Sequence, residues 1–395
     1  MANRTSPYVL VALCLFVVLA ASGAEATNPP QRLVPAVFVF GDSTVDVGNN
    51  NHLNVTAAAR ANYPQYGVDF HRSSPTGRFS NGLNTADLLA WGLGFRRSPP
   101  AYLSLTERTL RSQMHKGINF ASGGSGFADT TGSRLVNSEL LFVSLITERN
   151  STNLSLYMQF GEVIPMSRQL EYFSGVVKFM TKQSGETKTA SLLCKSIFII
   201  SAGSNDMFEY SAFPGDDYEF LSSLVAAYKH SITALYEMGA RKFIVISIPP
   251  LGCIPSQRLR RLKQTGTQGC YDPLNDLSLR FYPMLDAMMQ DLAHELPGMA
   301  YSLADAFAMV TFVFENPRTE SWTFTELEAA CCGAGPFGAA YPCDETAPVC
   351  ANRDEYLFWD ANHPTETVSA IAAQTMFDGN RTFVKPVNVR ELAQL

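Results

Sequence analysis

The sequence is poor in the features that mark nucleic-acid-binding and metal-binding proteins. Its net charge is −6, and its densest basic cluster is the short stretch 258–263, which holds four cations. So short a cluster indicates a solvated surface, and we expect no nucleic-acid partner. No Cys-x-x-Cys pair and no His-rich spacing occurs, so we also expect no metal and no cofactor.

Two common enzyme motifs are also missing. The Gly-x-Ser-x-Gly turn that carries the nucleophile of α/β-hydrolases occurs nowhere, which excludes that class of lipases. The glycine-rich stretch 123–126 lacks the Gly-x-Gly-x-x-Gly spacing of dinucleotide-binding loops, and no ribose-binding acid stands out after it. A dinucleotide site is therefore not expected.

Only one long apolar run is present, and it lies at the N-terminus. Residues 8–21 are apolar, Arg4 precedes them, and small residues follow at Ala24-Glu25-Ala26. This layout is typical of a secretory signal peptide. We predict a signal over 1–26, with an uncleaved signal anchor as the alternative. The rest, 27–395, is predicted to be a single domain without stable membrane insertion.

An exported chain can carry N-linked glycans at Asn-x-Ser/Thr sequences. Beyond the predicted signal, four candidate acceptors are present, at Asn54, Asn150, Asn153 and Asn380. Asn150 and Asn153 are too close together for both to be modified efficiently. We expect a glycoprotein of the secretory pathway, located outside the cell at the cell wall or in the Golgi lumen.

The cysteines are consistent with an oxidising compartment. Cys14 would leave with the signal, and Cys194, just before an apolar run, is expected to be a buried free thiol. Six others lie in turn-rich sequence and are candidates for disulfides: Cys253, Cys270, Cys331, Cys332, Cys343 and Cys350. We expect Cys253–Cys270 and two further bridges, because the adjacent Cys331 and Cys332 would be strained if paired with each other. The order of those two bridges is left open.

Five short apolar runs alternate with longer amphipathic stretches. The apolar runs cover 36–40, 117–121, 196–201, 242–248 and 299–304, and the amphipathic stretches cover 83–94, 157–179, 217–239, 273–296 and 364–377. This alternation is typical of a parallel sheet covered by helices on both faces. The sequence therefore predicts one α/β domain. Gly239 should end one helix, Pro364 should lie in the first turn of the last, and long loops should cover about 127–156 and 311–350.

Polar residues follow the first three apolar runs, at Gly41-Asp42-Ser43, at 122–126 and at Gly203-Ser204-Asn205-Asp206. Because the carboxyl ends of parallel strands meet at one edge of a sheet, these segments should converge on one site. Near the C-terminus, Asp360 precedes His363 by three positions. A serine hydroxyl needs a base, and the base needs a carboxylate to orient it, so the chain is predicted to be a serine hydrolase.

A series of short motifs, in order along the chain, resembles the plant GDSL esterase/lipases of the SGNH hydrolase superfamily. The motifs are Val39-Phe40-Gly41-Asp42-Ser43, Asp46-Val47-Gly48-Asn49-Asn50, Gly77-Arg78-Phe79-Ser80-Asn81-Gly82, Asn119-Phe120-Ala121-Ser122-Gly123-Gly124, Gly203-Ser204-Asn205-Asp206, and Leu357-Phe358-Trp359-Asp360 with His363-Pro364-Thr365-Glu366. The resemblance implies a three-layer αβα sandwich around a five-stranded parallel sheet of the flavodoxin-like kind.

The resemblance also implies a role for each matching residue. Ser43 would be the nucleophile, His363 the base and Asp360 its orienting acid. The oxyanion donors would be the amides of Ser43 and Gly124 and the side chain of Asn205. Asp206, next in sequence, is expected to cap the following helix.

We expect an ester substrate, a short acyl group on carbohydrate, such as an O-acetyl group on a wall polysaccharide like xylan. A lipase that acts at a lipid interface should have an apolar mobile lid. The best candidate, 173–180, is interrupted by Ser174, Gly175 and Lys178 and is typical of an amphipathic helix. Longer-chain lipid or cutin-type esters are the first alternative. A catalytically idle glycan- or lipid-binding relative is the alternative from another class.

Overall fold

The computed structural model describes residues 31–56, 59–132 and 162–395. The predicted signal peptide at 1–26, Asn150 and Asn153 lie outside the described residues. The strands are β1 Val37–Gly41, β2 Gly117–Asn119, β3 Ile197–Ser201, β4 Lys242–Ile246, β5 Ala300–Ala304, β6 Glu326–Ala330, β7 Tyr356–Phe358 and β8 Val384–Pro386.

The α-helices lie mainly between these strands. They are α1 Thr85–Gly92, α2 Glu107–Gln113, α3 Met166–Ser184, α4 Glu186–Leu193, α5 Ser204–Ala212, α6 Asp217–Glu237, α7 Pro255–Thr265, α8 Asp272–Glu295, α9 Ala306–Glu315, α10 Glu366–Asp378 and α11 Val389–Gln394. No helix in the described part of the chain is long and apolar enough to cross a membrane.

The main sheet has the strand order β2-β1-β3-β4-β5-β8. The first five strands are parallel and correspond to the five predicted apolar runs. The predicted count of five is one too low, because β8 adds an antiparallel edge strand beside β5. This strand has only three residues and contains Pro386, a residue that edge strands tolerate. Because β8 is so short and contains no apolar run, the pattern of apolar residues in the sequence does not predict it.

Alternate residues of the strands face two separate apolar cores, which makes the fold a three-layer αβα sandwich. Phe38 and Phe40 of β1 pack in the core that includes α3, α6 and α8. Val37 and Val39 pack in the core that includes α1, α10 and α11. Because both faces of the sheet are covered, the strands are apolar at consecutive positions.

Several helix boundaries differ from those predicted. The last long helix, α10, begins at Glu366 and not at Pro364, because the Thr365 hydroxyl accepts the amide of Val368 and caps the helix. The helix predicted over 157–179 begins at Met166, directly after Pro165. Gly239 lies just after α6 with φ = 113°, a conformation suited to glycine.

The six candidate cysteines form three disulfides. The predicted Cys253–Cys270 bridge is confirmed, and the other two are Cys331–Cys350 and Cys332–Cys343. Cys194 is free, as predicted, but the expectation of a buried thiol is wrong. It is only half-buried because it caps the C-terminus of α4 at the surface.

The basic cluster 258–263 is less solvated than predicted. It lies in α7, where Arg258 is buried. The Arg258 Nε atom donates to the carbonyl of Cys253, and its Nη1 atom lies 3.0 Å from Glu328. The predicted loop over 311–350 is likewise structured in part, because it contains β6, which pairs with β7 in a small second sheet.

Candidate active site

The turn after β1 presents Ser43 at the carboxyl edge of the sheet. Gly41 ends the strand with φ = 147°, and a Cβ atom there would lie 2.0 Å from the carbonyl oxygen of Ser201 in β3. Only glycine fits so close an approach between backbones. The chain can therefore turn sharply through Asp42 and leave Ser43 half-buried beside the end of β3.

The structure brings Ser43, His363 and Asp360 into one hydrogen-bonded chain. The Nε2 atom of His363 lies 2.8 Å from Oγ of Ser43. The Nδ1 atom of the same ring lies 2.8 Å from both carboxylate oxygens of Asp360. Asp360 and His363 are both buried, whereas Ser43 is only partly covered. This is the order of contacts that proton transfer from the serine hydroxyl requires.

Asp360 is surrounded by donors. Its Oδ1 atom accepts the amides of Asn362 and His363, and its Oδ2 atom accepts the hydroxyl of Tyr66 at 2.6 Å. Burial alone would raise the pKa of Asp360, but the charge of His363 and these hydrogen bonds hold the pKa below its usual value. Asp360 therefore stays ionised at neutral pH. Sequence reasoning missed Tyr66, because one tyrosine among fifteen carries no pattern of its own.

The Asp–His turn is fixed by the second sheet and its disulfides. The amide of Trp359 donates to the carbonyl of His363, and the amide of Cys332 donates to the carbonyl of Trp359. On the other side, the ring of Phe79 lies 4.9 Å from the imidazole of His363. The imidazole is thus held between an aromatic ring and a turn that the disulfide-bonded segment supports.

The glycine-rich loop after β2 supplies candidate donors for an oxyanion. The amides of Ser122, Gly123 and Ser125 donate within the site, to Gly41, Asp46 and Ser122 respectively. By contrast, the amides of Ser43 and Gly124 donate to no acceptor among residues 31–56, 59–132 and 162–395. Both amides are therefore available to a ligand as far as the described chain is concerned.

Asn205 lies in the first turn of α5, at the end of β3. Its Nδ2 atom donates to the carbonyl of Ser125 at 2.8 Å, which fixes its side chain beside the glycine-rich loop. A primary amide carries two N–H groups, so one of them is left for a ligand. The structure thus places Ser43, Gly124 and Asn205 at three neighbouring strand ends.

Asp206 does not cap α5, and that expectation is wrong. The N-cap is Gly203, and no side chain caps this helix. Asp206 instead accepts the amides of Phe127 and Ala128 and the hydroxyl of Thr131. Burial raises the pKa of its carboxyl, and these donors oppose the rise. The carboxylate therefore anchors the segment that follows the glycine-rich loop.

Two further buried carboxylates lie under the serine turn. Asp46 accepts the amides of Gly48, Asn49 and Gly123, and Asp42 accepts both the amide and the hydroxyl of Thr44. Burial raises the pKa of Asp42 and that of Asp46 to about 6, although these hydrogen bonds lower it. Sequence reasoning quoted both residues in motifs and assigned neither of them a function.

The lid candidate at 173–180 is part of the core. It lies inside α3, where Phe173, Val176 and Met180 are buried against the sheet. The Gly-Asp-Ser, Gly-Gly, Gly-Ser-Asn-Asp and Asp-x-x-His segments, which are far apart in the sequence, meet at the carboxyl edge of the sheet.

Comparison with known proteins decides the family. The model of the GDSL-like Lipase/Acylhydrolase family matches residues 37–376. The chain belongs to the GDSL esterase/lipase family. Among its relatives in Arabidopsis thaliana, GDSL esterase/lipase At4g16230 is 32% identical over 98% of each chain. GDSL esterase/lipase EXL2 is 33% identical over 95% of each chain. The protein is therefore a GDSL-type serine hydrolase of carboxylic esters.

Proposed function

We propose that Ser43 attacks the ester carbonyl and that His363 and Asp360 support the attack. The observation that carries this assignment is the hydrogen-bonded chain from the Ser43 hydroxyl through the imidazole to a buried carboxylate. As Oγ bonds to the carbonyl carbon, its proton moves to Nε2 of His363. The charge of Asp360 stabilises the imidazolium that forms.

The tetrahedral oxyanion is held by the amides of Ser43 and Gly124 and by the free N–H of Asn205. When it collapses, the alcohol leaves with the proton from His363, and the acyl group stays on Ser43. A water molecule then attacks this acyl ester, again giving its proton to His363. The acid departs, and the proton returns to the Ser43 oxygen, so that the enzyme is unchanged.

For the substrate, we propose O-acetyl groups on a wall polysaccharide such as xylan. Three disulfides and two exposed candidate glycosylation sites, Asn54 and Asn380, support export through an oxidising compartment, where such polymers are found. The apolar face of 173–180 packs in the core, so the segment best suited to be a lipid-responsive lid is fixed against the sheet. Both observations favour a short acyl group on a polar polymer.

One surface feature favours the lipid alternative. A groove of about 370 Å³ between α5, α6 and α8 is lined in part by Tyr210, Tyr271 and Leu279. Large apolar side chains are exposed beside it, with Phe213 75% and Tyr218 69% exposed. Such a surface could also bind a longer acyl chain. Esters of long-chain acids are therefore the second candidate substrates.

The Ser43→Ala variant tests the catalytic assignment. The change removes one oxygen in a half-buried turn, so stability should shift by less than about 1 kcal/mol. We expect kcat for p-nitrophenyl acetate to fall by about four orders of magnitude. Ser174→Ala, another half-buried serine but one that lies in α3 outside the site, is the matched control and should keep most of the activity. A Ser43→Ala enzyme with near-normal turnover would show that another group is the nucleophile.

A substrate profile tests the second proposal. We expect the purified protein to release acetate from acetylated xylan and to cleave acetyl esters faster than palmitoyl esters. Equal or faster cleavage of palmitoyl esters, together with no acetate from xylan, would instead identify a lipid-directed esterase. The Ser43→Ala protein serves as the blank for both measurements.

A further inference from the structure

A buried glutamine, Gln169, lies in the first turns of α3 and contacts the backbone that carries Ser43. Its side chain is fully buried. Its Oε1 atom accepts the amide of Gly41 at 2.8 Å, and its Nε2 atom donates to the carbonyl of Gly41 at 2.9 Å. One side-chain amide thus binds both polar groups of the residue two positions before the nucleophile.

This contact replaces part of the sheet. The neighbouring strand β2 ends at Asn119, before it reaches the level of Gly41. The amide of Ser122 still donates to the Gly41 carbonyl, but the Gly41 amide donates to Gln169. The glutamine therefore takes the place of a strand partner where the chain leaves β2 to form the glycine-rich loop.

The same side chain also reaches the glycine-rich loop and the start of its own helix. Nε2 of Gln169 donates to the carbonyl of Ile164 at 2.9 Å and lies 3.4 Å from Oγ of Ser125. The Ser125 hydroxyl lies within hydrogen-bonding distance of two carbonyls, that of Ser122 at 2.8 Å and that of Gly41 at 3.1 Å. The residue before Ser125 is Gly124, so a shift of this loop would displace that amide together with the serine turn.

We propose that Gln169 is a positioning residue for acyl transfer, which holds the Ser43 turn and the Gly124 loop in one fixed relation. This inference rests on the proposed roles of Ser43 and Gly124. Oxyanion donors act only when they point at the place where charge develops. A displacement of about 1 Å at such a site costs about 100-fold in rate. Gln169 does not touch the reacting atoms, so its effect should fall on turnover and not on substrate binding.

The first test compares Gln169→Leu with Val176→Ala. Leucine has a similar size but leaves the Gly41 amide without its partner. We expect kcat for p-nitrophenyl acetate to fall about 10- to 100-fold, and KM to change less than about threefold. Val176 is buried in the apolar core on the same helix. Its truncation should lower Tm by leaving a cavity, with little change in kcat.

The second test uses Gln169→Glu and keeps the proposal falsifiable if the leucine variant does not fold. An ionised glutamate can accept the Gly41 amide but cannot donate to the two carbonyls. A protonated glutamate supplies one donor again. We therefore expect the kcat of Gln169→Glu, divided by that of the wild type at the same pH, to rise as the pH falls from about 8 to about 5. Dividing by the wild type removes the titration of the base itself.

The outcomes separate this inference from the catalytic assignment. Suppose that Ser43→Ala is inactive but Gln169→Leu keeps the wild-type kcat. The positioning role of Gln169 is then wrong, and the assignment of Ser43 as nucleophile stands. The same conclusion follows if the kcat of Gln169→Glu relative to the wild type does not change with pH. If Ser43→Ala is active, the catalytic assignment fails, and the inference about Gln169 fails with it. The inference would also be overturned if both Gln169→Leu and Val176→Ala lost kcat in proportion to their decrease in Tm, because the loss would then follow from lower stability alone.

Discussion

At the scale of single residues, the carboxylate of Asp360 has more partners than orientation of His363 alone requires. Two amides of its own turn and the Tyr66 hydroxyl bind it in addition to the imidazole. A carboxylate buried this deeply would otherwise take up a proton more readily. Tyr66 is therefore a second means of keeping Asp360 ionised, supplied from a segment almost 300 positions away in the sequence.

We predict that Tyr66→Phe lowers kcat by about 10-fold, which corresponds to the loss of about 1.5 kcal/mol from one hydrogen bond to a charged group. The loss should grow at acidic pH, because the pKa of Asp360 rises when a donor is removed. Steady-state kinetics across pH measure both effects. Tyr236→Phe is the control, since its hydroxyl donates to the carbonyl of Pro297 and not to a residue of the site. Equal losses in the two variants would contradict this account.

At the scale of elements, the site combines a rigid sheet edge with a disulfide-bonded segment. The core around Tyr63 and Tyr66 includes the Cys332–Cys343 bridge and Trp359. The bridge thus lies behind the residues that support Asp360, although it lies far from the serine in sequence. The bridge restrains a segment that has few regular backbone hydrogen bonds. A restraint is needed there because the apolar core of this segment is small.

Removal of this bridge should affect catalysis as well as stability. In Cys332→Ser/Cys343→Ser we expect the free energy of unfolding to fall by about 3 kcal/mol, because the unfolded chain gains conformational entropy when the bridge is absent. We also expect kcat to fall several-fold, because Tyr63 and Tyr66 pack in the same core as this bridge and would be less firmly held without it. Denaturant melts and initial rates test this. Cys253→Ser/Cys270→Ser removes a bridge outside this core that spans 17 positions, against 11 for Cys332–Cys343. If it lowers kcat equally, the Cys332–Cys343 bridge has no particular link to Asp360.

The elements that sequence reasoning found and those that it missed differ in how much apolar surface they bury. Strands β1 to β5 were predictable because each lies in a largely apolar and mostly buried run of the sequence. Strands β6 and β8 are partly exposed and contain charged residues, so no pattern distinguishes them from loops. The same limit applies within the site. Ser43, Asp360 and His363 lie in motifs, whereas Gln169 acts through a contact between positions 128 residues apart.

At the scale of the whole molecule, two buried carboxyls should make stability depend on pH. Burial raises the pKa of Asp42 and that of Asp46 to about 6 in the folded chain. Between about pH 4 and pH 6, the folded chain therefore holds protons that the unfolded chain has lost. The free energy of unfolding must fall as the pH rises through this range, by at most about 3 kcal/mol for each group.

The Asp42→Asn variant isolates one of the two groups. An asparagine oxygen can still accept the amide and hydroxyl of Thr44, so the local contacts can persist. We expect urea melts of the variant to show a smaller decrease in stability between pH 4 and pH 6 than the wild type shows, and greater stability than the wild type at pH 8. An unchanged pH dependence would mean that Asp42 is not the titrating group.

The distance in sequence between Ser43 and His363, 320 positions, has a consequence for biosynthesis. At about 5–20 residues per second, the ribosome needs roughly 16–64 s to progress from one to the other. All five parallel strands of the main sheet precede residue 305, so this sheet can begin to assemble while His363 is still unsynthesised. On the proposed roles, the nascent chain holds Ser43 without its base until His363 is made. We therefore expect a chain truncated before His363 to lack esterase activity.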